Sequence, residues 1–459
     1  MTALTPSPLL HWSDWIRASD HHAEHRLKLI EQVEQALLDD RQRSDELCRQ
    51  LAAQLERWRY QILNEQNGSL DEKDRSLLDD LDLHANQLRG GEPRPPRRPL
   101  DAIRSDARDS EPIAKLPTWF DAAYPLDQLT AAAKQVTDRG FSVQVSGGSE
   151  AAKRRMVLYA PLYVSSECVN HCTYCGFRYP LKINRTHLHV DQVLEQSRIL
   201  RRRGFGHQLI VAGDYPRHTS TEYFVELIDG LHRDGIEVGI EIAAQSTESY
   251  AAMVDAGVRS LALYQETFDE ADYQTYHIRG PKASFHWRLE APERAAEAGI
   301  GRIGLGVLLG LSDPVADVTA MLRHGQYLRD RFPNLQLAFS LPRIHEAPDD
   351  FDIPYQVTDE MLVRLYSVCR LSFPDAELVL STREPAALRG QLAQICITQM
   401  SAGSSTAPGG YRDQSEPECP GGPECLGEQF PVTDERSADE VAAWLIQSGF
   451  EVRWSFLQP

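Results

Sequence analysis

The sequence predicts an α/β fold, a parallel TIM-like (β/α)8 barrel preceded by a helical N-terminal extension. Three observations predict it. Between residues 157 and 401 eight short apolar runs alternate with segments of helical length and periodicity. A tight group of cysteines follows the first of these runs at once, and the first ninety or so residues show helical periodicity alone, ending in a stretch rich in proline and arginine.

The extension is read first. Leu27, Ile30, Val33 and Leu37, then Leu47, Leu51, Leu55, Trp58 and Ile62, recur at helical spacing with charged residues between them, which predicts one long helix or two stacked ones over 26–63. Asn67-Gly68 punctuates the region, and a shorter helix is expected over 70–88. Two roles suit such helices: a docking arm for a partner, or a pair packed on the main domain, the commoner use of an amphipathic helix. The run from Gly90 to Pro99 holds three arginines and reads as a stiff basic linker, with a solvated hinge as its expected state. The expected division is therefore 1–89 for the extension, 90–112 for the linker and 113–459 for the barrel.

Strands are expected at 157–164, 208–212, 237–243, 260–264, 302–309, 335–340, 378–381 and 395–401. Helices are expected at 126–139, 190–203, 222–234, 246–256, 288–298, 315–331, 359–371 and 384–392. In a barrel the residues at the carboxyl ends of the strands face a common mouth. That rule selects Tyr163, the cysteine loop, Gly213-Asp214, Gln265-Glu266, Ser340, Arg343 and Ser401 as parts of one site. Gly299 to Gly304 satisfies G-x-G-x-x-G, yet it follows a helix and opens a strand, the reverse of a dinucleotide site, so helix–strand packing accounts for its glycines.

The 459 residues, 42% hydrophobic with mean hydropathy −0.42, suffice for one large domain and an appendage. A net charge of −19 and a pI near 5.3 oppose non-specific binding to nucleic acid or anionic membranes. The first twenty residues lack a basic start followed by an apolar segment, and no window approaches the ~18 apolar residues of a membrane span. Eight cysteines over this length make no disulfide framework, and reduced thiols suit the cytoplasm.

Cys168, Cys172 and Cys175 stand in C-x3-C-x2-C spacing. Three such thiolates can ligate three irons of a [4Fe–4S] cluster and leave the fourth iron open. Gly176 would let the backbone fold closely around a ligand. The alternative is a structural zinc site in which His171, between two of the cysteines, supplies a fourth ligand. Cys419 and Cys425 form a further pair, too few ligands for a good metal site.

The motifs, taken together, resemble the aromatic amino acid lyases of the radical S-adenosylmethionine (SAM) superfamily. Those that carry the resemblance are Ala160-Pro161-Leu162-Tyr163, the cysteine loop, Tyr264-Gln265-Glu266-Thr267, Trp287-Arg288-Leu289-Glu290, Ser340-Leu341-Pro342-Arg343, Ser381-Thr382-Arg383-Glu384, Met400-Ser401-Ala402-Gly403-Ser404 and Pro408-Gly409-Gly410-Tyr411. The branch includes 2-iminoacetate synthase of thiamine biosynthesis, the tyrosine lyase of [FeFe]-hydrogenase maturation and a tryptophan lyase. The resemblance spans about 126–454, with a thiamine-synthesis-associated region over about 340–454, and leaves out the N-terminal arm.

It implies a [4Fe–4S] cluster and SAM as cofactors, with Cys168, Cys172 and Cys175 as iron ligands. One-electron reduction of the cluster would cleave SAM to a 5′-deoxyadenosyl radical, which takes hydrogen from the amino group of the substrate. Tyr174 matches the aromatic residue beside the adenine. Gly213-Asp214 falls where the family has Gly-Glu for the SAM amino group, one methylene shorter here, and Glu266 is a second residue near SAM. Arg343 matches the clamp on the substrate carboxylate, Ser340 a second donor, and Tyr163 a position touching substrate. The absence of a further cysteine set for a second cluster favours the thiamine enzyme over the maturation enzyme. The implied reaction is cleavage of tyrosine to 2-iminoacetate and p-cresol, with a flavodoxin- or ferredoxin-type reductant and a thiazole synthase protein as partners. A lyase of another aromatic amino acid stays open, as does, from a different class, a zinc-stabilised scaffold.

Overall fold

A computed structural model of the chain describes residues 9–13, 16–17, 22–38, 44–65, 70–90, 94–144, 152–348, 351–412 and 427–456. Asn67-Gly68, Cys419 and Cys425 lie outside the described residues.

Strands β1 (Ser142–Val143) and β2 (Lys153–Ser165) open the sheet. They are followed by β3 (His207–Ala212), β4 (Glu237–Glu241), β5 (Ser260–Glu266), β6 (Arg302–Val307), β7 (Gln336–Ser340), β8 (Glu377–Leu380), β9 (Gln399–Ser401) and β10 (Phe450–Arg453). Strands β2 to β9 pair in sequence order, all parallel, and β9 returns to β2 through Val157↔Gln399, Leu158↔Met400 and Tyr159↔Ser401. The ring is thus a closed eight-stranded barrel, with at least one helix after each strand.

All eight expected strands form, within a few residues of the expected limits, because strands covered by helices are apolar on both faces and read as continuous runs. Two helices differ from expectation. The one expected over 288–298 is two, Phe285–Leu289 and Ala291–Glu297, broken at Glu290 because Pro292 cannot donate to the preceding turn. The one expected over 384–392 is Ala386–Ile395, since Pro385 leads into it and Glu384 is left outside. Gly299, in the left-handed region at φ 103°, ends its helix turn, so the glycine pattern there serves chain reversal.

The N-terminal extension folds as helices α1 (Ala23–Leu38), α2 (Asp45–Glu65) and α3 (Glu72–Leu88) around a core of their own that includes Leu29, Val33, Leu55, Trp58, Leu77 and Leu81. This bundle packs on the barrel, as an amphipathic helix set usually does, and Trp287 of the barrel packs against its core.

The Pro/Arg-rich stretch departs from expectation. It is no solvated hinge: Arg97 is buried and donates to Glu56 at 2.9 Å, Arg94 lies over the Phe332 ring at 4.6 Å, and the Arg98 amide donates to the Tyr327 hydroxyl at 3.0 Å. Acids and aromatics from the arm and the barrel, distant in sequence, hold these arginines in place. Among the described residues no helix is long and apolar enough to cross a membrane.

Candidate functional site

Two connected cavities occupy the barrel mouth. The smaller, about 120 Å³, is lined by Cys168, Cys172 and Cys175 together with Gly213 and Asp214. The larger, about 470 Å³, is lined by Tyr163, Tyr174, Ser340 and Ser401. Glu241, Tyr264, Glu266, Lys282 and Gln429 form part of both walls. The strand-end rule therefore brings together most of the residues it selects. Gln265 and Arg343 line neither cavity.

The cysteine loop is fixed from both sides. Val169 N–H donates to the Asp214 carbonyl at 2.8 Å, His171 N–H to the Arg279 carbonyl at 2.9 Å, and Thr173 N–H to the Tyr276 carbonyl at 3.0 Å. Asn170 ties the ends together, donating through Nδ2 to the Asp214 carboxylate at 2.9 Å and accepting the Lys282 amide at 2.9 Å. Gly213 is needed for close approach, because a Cβ there would lie 2.3 Å from the Glu167 carbonyl oxygen. Gly176 is required for a different reason from the one expected: its missing Cβ makes room for the Gln429 carbonyl, at 2.3 Å, rather than for a ligand.

The thiols suit an iron–sulfur cluster. Burial pushes Cys172 up to about 12, against the opposing charge of Lys282, and raises Cys168 as well, so binding iron must displace protons. Backbone N–H groups of Asn170 and Phe177 point at Cys168 Sγ and Cys175 Sγ, each at 3.4 Å, and favour the thiolates once formed. Among the described residues no three His, Cys, Asp or Glu side chains converge on a point that would hold a single metal ion. The ring of His171 instead packs on Tyr179, centroids 5.3 Å apart.

A bulge in β5 at Gln265 shifts the register, and Glu266 after it takes φ 74°. Such a conformation costs a non-glycine residue about 1–3 kcal/mol and is retained where surrounding structure over-determines it. Here Lys282 Nζ at 2.6 Å and Arg288 Nη2 at 3.3 Å both hold Glu266 Oε1. Burial would raise this carboxyl, but Lys282 and Arg288 outweigh burial and keep it below the usual range. Tyr174 is locked by the same cluster. Since His277 Nδ1 must donate to the Tyr273 carbonyl at 2.7 Å, its Nε2 accepts from the Tyr174 hydroxyl at 2.9 Å, and Lys282 donates to that hydroxyl at 3.1 Å. The Asp214 carboxyl is raised by burial, with the Asn170 hydrogen bond acting against it.

Arg343 is not the open clamp expected of it. Its guanidinium donates to Glu384 at 3.2 and 2.5 Å, to Asp359 at 2.8 Å and to the Val357 carbonyl at 2.7 Å, so four of its five N–H groups, and both of those on Nη2, are already engaged within the fold. The arginine that faces the larger cavity is Arg383, which the strand-end selection missed although its motif was visible. It stacks on Phe430 with its guanidinium carbon 3.3 Å from the ring centroid, and among the described residues no carboxylate pairs with it.

Glu241, at the end of β4, was missed too. It lines both cavities with no hydrogen-bond or ion-pair partner among the described residues, and burial, reinforced by Glu266, pushes it up to about 7 despite Arg383. The signal that could have found it is a carboxylate inside an apolar strand run, Val238-Gly239-Ile240-Glu241-Ile242. Gln429 closes the mouth from the C-terminal side, accepting from the Tyr163 hydroxyl at 2.7 Å.

Comparison with known proteins agrees with this arrangement. The Radical SAM superfamily model matches residues 162–324, and the Biotin and Thiamin Synthesis associated domain matches 340–451. The chain is 34% identical over 331 residues to 2-iminoacetate synthase of Escherichia coli strain K12, covering 72% of this chain and 82% of that one. It resembles the crystal structure of HydG, a maturase of the [FeFe]-hydrogenase, with TM-score 0.66 and 31% identity over 78% of this chain and 76% of the other. The HydG structure from Carboxydothermus hydrogenoformans matches with TM-score 0.64 and 27% identity over 89% and 86% of the two chains.

Proposed function

Because the chain belongs to the radical SAM superfamily, in the branch of the 2-iminoacetate synthases, we propose that it cleaves the Cα–Cβ bond of L-tyrosine, giving 2-iminoacetate and p-cresol for the thiamine thiazole. The protein is a radical SAM lyase, and its cofactors are a [4Fe–4S] cluster and SAM. The cytoplasm is its proposed compartment, where a reducing poise keeps thiols free for iron.

The observation that carries the reading is a pair of opposite charges that face one cavity from the ends of β4 and β8, Arg383 and Glu241, without an ion-pair partner among the described residues and each close enough for its charge to act on the other. An amino acid zwitterion is the complement of such a pair. Arg383 offers the carboxylate a planar fork, and Ser340 adds a hydroxyl. Glu241, near 7, takes the ammonium group and can hold its proton while the amine reacts. Tyr163 and Tyr264 add aromatic surface for the side chain, and Gln429, bonded to Tyr163, borders the same cavity.

In the smaller cavity Cys168, Cys172 and Cys175 hold the cluster. Gly213, Asp214, Glu266 and Tyr174 border the space for SAM. Both cations on Glu266 bind Oε1, so Oε2 remains for the cofactor. When bound, the cluster and SAM would supply one-electron radical chemistry directed at the substrate amine. The residues common to both cavities would set the amine beside the cofactor.

Reconstituted protein incubated with SAM, dithionite and each aromatic amino acid should release p-cresol from tyrosine and an indolic product from none. An indolic product from tryptophan, with no p-cresol, would move the assignment to another aromatic amino acid. Cys172→Ala should abolish deoxyadenosine formation while the chain keeps its folded circular dichroism; retained SAM cleavage would sink the cluster assignment.

A further inference from the structure

We propose that the outer face of the cysteine loop is the docking surface for a small acidic protein that delivers single electrons. The inference rests on the reading of Cys168, Cys172 and Cys175 as cluster ligands and deepens it.

Large apolar side chains are seldom exposed in this molecule, yet two of them flank this loop: Tyr179 at 55% and Ile278 at 67% exposure. They are neighbours through His171, whose ring packs on Tyr179 and whose amide is bonded to the Arg279 carbonyl. Directly behind His171 lies Cys172, buried and bridged to His277. Only one layer of half-buried loop residues therefore separates this patch from the thiols. Inward, the cysteines face the cavities of the barrel, which a protein cannot enter.

The patch is also basic. Residues 171–185 and 277–282 contain Arg178, Lys182, Arg185, Arg279 and Lys282 and no acid at all, in a chain with 67 acidic and 48 basic residues. Lys282 turns inward to Glu266 and Arg185 to backbone carbonyls, whereas Lys182 and Arg279 are exposed. An acidic partner is repelled by the molecule as a whole and attracted here, so charge both steers and orients it. An apolar centre with a basic rim is the composition expected of such a contact.

The test uses the reconstituted holoenzyme and reads deoxyadenosine formed from SAM with two reductants, dithionite and an enzymatically reduced bacterial flavodoxin. The double variant Ile278→Asp/Arg279→Glu should lose about tenfold in rate with sub-saturating flavodoxin, and Lys182→Glu, farther out, about threefold. Both should stay within about twofold of the parent with dithionite, which needs no docking. The parent's flavodoxin rate should fall severalfold between about 50 and about 300 mM salt.

Parent-like flavodoxin rates in both variants would overturn the proposal, as would equal losses with the two reductants for Lys182→Glu. So would a concentration-dependent dimer of the parent that both variants abolish, since the patch would then bind a second copy. No deoxyadenosine from the parent with dithionite would instead remove the cluster reading itself.

Discussion

At the seam between the helical arm and the barrel, each buried charge has a partner of opposite sign or a hydroxyl. Arg59 grips Glu290, which also accepts from Tyr60; Arg294 donates to the Tyr60 hydroxyl at 2.6 Å; Arg97 reaches Glu56 and Glu297; Arg89 reaches Glu248 at 2.6 Å. At the barrel mouth, by contrast, Arg383 and Glu241 are half-buried and face a cavity with no ion-pair partner among the described residues. Leaving a buried charge without a partner costs several kcal/mol, so it persists only where something outside the fold supplies the partner. Charges paired within the fold therefore mark architecture, and charges left unpaired mark the place where a ligand belongs.

The sharpest way to break this contrast is at the seam. Glu290→Ala would strand Arg59 and Tyr60 together, and should lower the unfolding free energy by about 3–5 kcal/mol in urea titrations. A loss under 1 kcal/mol would show that the network is incidental. At the mouth, Arg383→Lys replaces a fork with a point charge. The kcat/KM for the amino acid should fall about 10- to 100-fold, corresponding to about 1.5–3 kcal/mol, with the urea midpoint unmoved. A drop in stability without a change in kcat/KM would place Arg383 with the architectural arginines.

Arg343→Lys tests the opposite assignment. It should cost about 1–2 kcal/mol of stability through lost bonds to Glu384, and leave KM within about twofold. Selective loss of substrate binding would restore the clamp role that the motif implies.

The smallest effect belongs to Glu241, whose folded-state value near 7 lies above the ordinary 4.5. Between those values the folded chain keeps a proton that the unfolded chain releases, so this group's contribution to stability declines as pH rises from about 4.5 to 7. Glu241→Gln should remove that decline and gain about 1 kcal/mol over the parent at pH 8, with no gain at pH 4, the size moderated by water in the cavity. Equal differences at both pH values would mean that Glu241 ionises normally.

What could be read in the sequence divides along the same line. The strands were legible because burial on both faces writes itself into consecutive residues, and the cysteine spacing because one short loop carries all three ligands. Direction across the barrel was not. Arg343 and Arg383 both follow a barrel strand, and nothing local says that Arg343 turns toward Glu384 while Arg383 lies on Phe430, forty-odd residues further on. The basic stretch misled for a related reason: Arg97 looks solvent-bound until Glu56, Asp82 and Glu297, from three separate segments, surround it.

Strand β10 has a consequence for how the molecule is made. Phe450–Arg453 pairs with the first half of β2, and the Trp454 carbonyl accepts the Gly206 and His207 amides, so this late segment fills the foot of the gap between β2 and β3. The strand that presents the cysteine loop is the first long strand of the barrel in chain order, yet its lower half finds this neighbour only in Phe450–Arg453, after every other strand of the ring has been made, so β2 cannot be fully paired before that segment arrives.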